Sequence, residues 1–123
     1  MPTNEIRPPE WREFFDTFSR AHEGWLVTIE VLGRLGAQEE ASELPLVGVT
    51  AEEQSHGGSI SIMVGEGERN LTHTIAQPTR VWVQRTDEGA EAAVEIEAKT
   101  GEKTLLRFRS AVPPELVDGM LPR

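Results

Sequence analysis

Trp11, Phe14, Phe15 and Phe18 recur at i, i+3, i+4 and i+7, the apolar stripe of an amphipathic helix. Glu13, Asp16, Thr17 and Arg20 fall off that stripe. Pro8-Pro9 suits a first helical turn, because proline has no N–H to leave unpaired there. Glu10 and Glu13 place negative charge near the positive end of the helix dipole, and Gly24 supplies a stop. The spacing predicts a helix over 9–22. It holds three of the chain's four phenylalanines and one of its three tryptophans. Burying side chains of this size gains about 1.5–3 kcal/mol each. The helix therefore has to lie on an apolar surface that the remaining chain supplies.

That remainder reads as short strands. Trp25 to Leu32 is rich in β-branched residues, with Trp25, Val27, Ile29 and Val31 on one face. A second strand falls within 37–50, where Pro45 argues for an edge position or a bulge. Ile60, Ile62 and Val64 alternate with polar residues, as do Leu71, His73 and Ile75. Further strands are expected at 79–86, 91–98 and 103–110. The predicted class is α+β: an N-terminal amphipathic helix, then six or seven antiparallel strands forming a small, partly closed, strongly bent sheet or barrel. Residues 1–8 read as a flexible lead-in, 9–112 as a single domain, and 113–123 as a tail with a short helical turn.

Two hairpins can be read to the residue. Asp87-Glu88-Gly89 and Lys99-Thr100-Gly101 each fit a three-residue loop with glycine in the left-handed position. The second loop sets Val94 opposite Leu106 and Ala92 opposite Phe108, apolar on apolar. The first sets Trp82 opposite Val94, which leaves Val81 and Val83 on a face that is otherwise polar. Either the helix covers that face, or a bulge changes the parity.

The chain has 123 residues, no cysteine and a formal charge of −9. The missing cysteines exclude disulfides, thiol catalysis and thiolate zinc sites. The acidity disfavours nucleic acid and anionic membrane as partners. No apolar run reaches the ~20 residues of a membrane span, and no signal-peptide core opens the chain. A soluble, cytoplasmic protein with no cofactor and no metal is expected.

Trp11, Phe14-Phe15-Asp16, Phe18-Ser19, His22 and the run from Gly24 to Thr28 resemble the opening of a family of small bacterial proteins of unknown function. Leu71 to Ile75, Pro78 to Val81 and Leu105 to Ser110 resemble the same family, so the likeness spans about 9–119. It implies no activity, cofactor or catalytic residue. In element order the chain also resembles Sm-like barrels, without the RNA-contacting motifs of that group.

Three residues are candidates for ligand binding. His73 alternates in phase with Leu71 and Ile75, so it points to an apolar face. There it is either a general base or ligand anchor, or a partly buried histidine bonded to a backbone carbonyl. Arg80 and Trp82 belong to a cluster with Arg107 and Arg109. Arginine and tryptophan are enriched where proteins bind partners, and cross-strand charge balance with Glu95 and Glu97 is the other reading. His22 ends the helix, where a cation complements the dipole, and His56 sits in a polar loop. No nucleophile motif, phosphate loop or calcium loop is present. A non-enzymatic binding or assembly module is expected, acting on a partner protein or on itself. The alternatives are a small-molecule or peptide binder with a barrel-mouth pocket near His73 and Trp82, and a small enzyme of unrecognised type.

Overall fold

The computed structural model describes residues 3–34, 36–53 and 57–108. The elements are β1 (Thr3–Ile6), a 3-10 turn (Pro8–Glu10), α1 (Trp11–His22), β2 (Leu26–Gly33), β3 (Gly36–Glu52), β4 (Ser59–Glu66), β5 (Arg69–Ala76), β6 (Pro78–Arg85), β7 (Glu91–Ala98) and β8 (Lys103–Phe108). The α+β class stands, with eight strands in place of six or seven. The additional strand is β1, which pairs with β6 where a flexible lead-in was expected. The strands form one antiparallel sheet in the order β1-β6-β7-β8-β2-β3-β4-β5. β1 and β5 are its edges and do not pair with each other, so the barrel does not close. The tail at 113–123, and Arg109 before it, lie outside the described residues.

The sheet bends at β3. Gly36 to Pro45 pairs with β2, and Leu46 to Glu52 pairs with β4. Pro45 sits at this hand-over opposite Leu26. The irregularity that proline announces follows it, a register shift between Leu46 and Gly48. The residue between them, Val47, is 51% exposed, the one large aliphatic turned out to solvent among the described residues. The bend brings Ile60, Ile62, Val64 and Ile75 of β4–β5 into one core with Val81, Val83, Val94, Ile96 and Leu106.

Helix α1 covers the stretch of β3 that β2 has left. Phe15 and Phe18 enter the core, and Trp11 and Phe14 pack half-buried against it. The Trp11 indole N–H donates to the Ile6 carbonyl at 2.8 Å, which ties the helix start to β1. Ser19 takes the place of a strand partner: its Oγ accepts from the Val49 N–H at 2.8 Å, and its one hydroxyl proton is shared between the Phe15 carbonyl at 2.7 Å and the Val49 carbonyl at 3.1 Å. Without it, the Val49 N–H beneath the helix would lose its partner, at a cost of about 1–3 kcal/mol.

Candidate functional site

The hairpin between β6 and β7 decides which side chains reach solvent. Its loop forms as expected. The Thr86 N–H donates to the Ala90 carbonyl at 2.8 Å, and Gly89 takes φ +90. The register then shifts: Arg85 faces Glu91, but Gln84 faces Ala93. Ala92 is the extra residue, and this bulge reverses the parity of everything beyond it. Val83, not Trp82, lies opposite Val94, and Trp82 lies opposite Glu95. Val81 and Val83 are thereby fully buried, and Trp82 turns to the outer face. The second hairpin keeps its expected register, with Val94 opposite Leu106.

Directly paired residues share a face, so the register defines rows across the outer surface. One row runs Glu5, Trp82, Glu95, Leu105, Glu30, Glu39. The next places Arg80 beside Glu97 and Lys103. The row on the other side holds Thr3, Gln84, Ala93, Arg107 and Thr28. A shallow groove of about 250 Å³ opens between these rows, lined by Thr3, Trp82, Gln84, Ala93, Glu95 and Leu105. The Arg80 guanidinium carbon lies 5.9 Å from the Trp82 ring centre, a cation–π contact. Arg107 reaches Glu30 at 3.5 Å. Among the described residues, the Glu5 and Glu95 carboxylates and the Trp82 indole N–H make no hydrogen bond, and neither carboxylate has an ion pair.

His73 is elsewhere. It is half-buried on β5, and its Nε2 lies 3.3 Å from the Thr104 hydroxyl of β8, across the bent sheet. Thr104 is buried among apolar neighbours, so His73 supplies its polar partner. The structure thus brings Arg80 and Trp82 together on the outer face and places His73 on the inner one. The groove lined by Trp82 does not include His73.

A second polar cluster depends on residues far apart in the chain. His22, at the end of α1, is buried and stacks on Phe108 at 4.6 Å. Phe18 lies 4.6 Å away and Trp25 meets the ring edge-on at 4.8 Å. The imidazole Nδ1–H donates to the Phe18 carbonyl at 2.9 Å. Nε2 lies 3.5 Å from a Glu91 oxygen, and the other Glu91 oxygen meets Arg85 at 3.1 Å. The cluster anchors α1 to β6, β7 and β8. The helix-end position of His22 was legible; its partner Glu91 was not, because nothing local links the two. His56 lies outside the described residues. No group of three potential metal ligands, and no helix long and apolar enough to cross a membrane, occurs among the described residues.

No curated protein and no solved structure matches the chain. A model described as "Family of unknown function (DUF5335)" matches residues 2–116, and the chain belongs to that family.

Proposed function

We propose that this chain is a non-enzymatic binding module whose contact surface is the outer sheet face around Trp82. One observation carries the reading: Trp82 is the aromatic residue that the core does not use. The other six are Phe15, Phe18 and Phe108 within the core and Trp11, Phe14 and Trp25 packed against it. Trp82 instead stands over a groove with its N–H free for a partner. A large ring with an unused donor, beside an arginine, is the composition of a binding hot spot. The His22 ring, beside the half-buried Glu91, is buried and walled in by Phe18, Trp25 and Phe108, which favours binding over catalysis as the role of this protein.

The test is selection of a random peptide library on the folded chain, followed by affinity measurement of the enriched peptides. We expect their affinity to fall about tenfold or more for Trp82→Ala. Peptides that bind wild type and Trp82→Ala equally, or no enrichment at all, would overturn the reading.

A further inference from the structure

We infer that the groove at Trp82 docks a basic segment of a partner protein, one in which cationic side chains flank an apolar residue. This rests on the reading of Trp82 as the contact surface and names the chemistry that the surface fits.

The row Glu5–Trp82–Glu95–Leu105–Glu30–Glu39 crosses the outer face. It contains four carboxylates and two apolar side chains; the cations lie in the flanking rows, Arg80 and Lys103 beside Glu97 on one side and Arg107 on the other. Arg107 answers Glu30 from the neighbouring row. Glu5 and Glu95, on either side of Trp82, have no cation within ion-pair distance among the described residues. Adjacent strands stand about 4.8 Å apart, so these two carboxylates recur at about 10 Å with the indole between them. A helix rises about 1.5 Å per residue, so residues seven apart on one face are separated by about 10.5 Å. Lysine or arginine at that spacing, with an apolar residue midway, meets Glu5, Trp82 and Glu95 in turn. The indole and Leu105 receive the apolar contact, and Gln84 and Thr3 offer hydrogen bonds at the rim. The charge of −9 steers a cationic partner in and repels a second copy of this chain.

The probe is a helical peptide with lysine at every seventh position and leucine midway, titrated into the full chain and followed by calorimetry. Its controls are the same peptide with each lysine replaced by glutamate and one with leucine replaced by serine. We expect the basic apolar peptide alone to bind. Its affinity should drop about tenfold for Trp82→Ala and about threefold for the shape-preserving Glu95→Gln. It should weaken further between about 50 and about 300 mM salt, and Glu52→Gln, distant on β3, should leave it unchanged. Equal weakening by Glu52→Gln and Glu95→Gln would show attraction to net charge alone and overturn the inference. If neutral or acidic peptides bind through Trp82 instead, the inference falls while the contact surface stands. If no library peptide depends on Trp82, the contact surface falls as well. Native mass spectrometry supplies the last arm: a multiple of 13.6 kDa that reverts to one chain in Trp82→Ala would make the occupant a second copy and overturn the inference.

Discussion

Phe18→Ala is expected to lower the free energy of unfolding by about 3–5 kcal/mol. The ring is 2% exposed and is the hub of the aromatic cluster. It lies 5.8 Å from Phe14, 6.4 Å from Phe15, 5.6 Å from Phe108 and 4.6 Å from His22. Truncation loses its transfer free energy and leaves a cavity between α1 and β8 that rigid strands cannot close. A domain of this size has about 5–15 kcal/mol in all, so the loss is a large share of the total. Urea unfolding by circular dichroism measures it. With a slope of about 1–3 kcal/mol per molar, the midpoint should fall by more than ~1 M. A loss under ~1 kcal/mol would mean that the helix does not seat on the sheet as described.

Gly65→Ala is expected to cost about 3 kcal/mol for a different reason. Gly65 is buried near the end of β4, opposite Asn70, with φ +105. A Cβ at this position would overlap the Arg69 carbonyl oxygen and approach the Asn70 Cα to 2.6 Å. Both atoms belong to the backbone of the paired strand, so relief requires opening the hairpin. The backbone conformation adds strain for any residue with a side chain. The expected signature is a lower unfolding midpoint together with faster amide exchange at the ends of β4 and β5. A change under ~1 kcal/mol would contradict the geometry of this hairpin.

How much of this was legible in the sequence varies with the range of the interaction. The stripe from Trp11 to Phe18 is local, and α1 ends at His22 as expected but begins at Trp11, after a 3-10 turn over Pro8–Glu10. The β7–β8 register is nearly local, because one turn and the pair Val94 and Leu106 leave a single sensible alignment. β1 was not legible: Thr3, Asn4 and Glu5 have no apolar alternation, and only Ile6 packs against the core. The Ala92 bulge was visible only through its consequence, Val81 and Val83 on an otherwise polar face. Alanine is small enough for either side of a sheet, so nothing at position 92 announces the insertion. Arg80 and Trp82 stood out by residue type and do meet. His73 stood out by phase and lies on the inner side, bonded to Thr104. The pairing of His22 with Glu91 is purely tertiary and left no local trace.

The bulge turns Trp82 outward, where the fold does not need it, and Val83 inward, where it does. Unfolding free energies of Trp82→Ala and Val83→Ala, measured side by side, test this most directly. The account predicts a cost of about 2–3 kcal/mol for Val83→Ala and under ~1 kcal/mol for Trp82→Ala, despite the much larger group removed. The reverse order would place the indole in the core and leave no contact surface at Trp82.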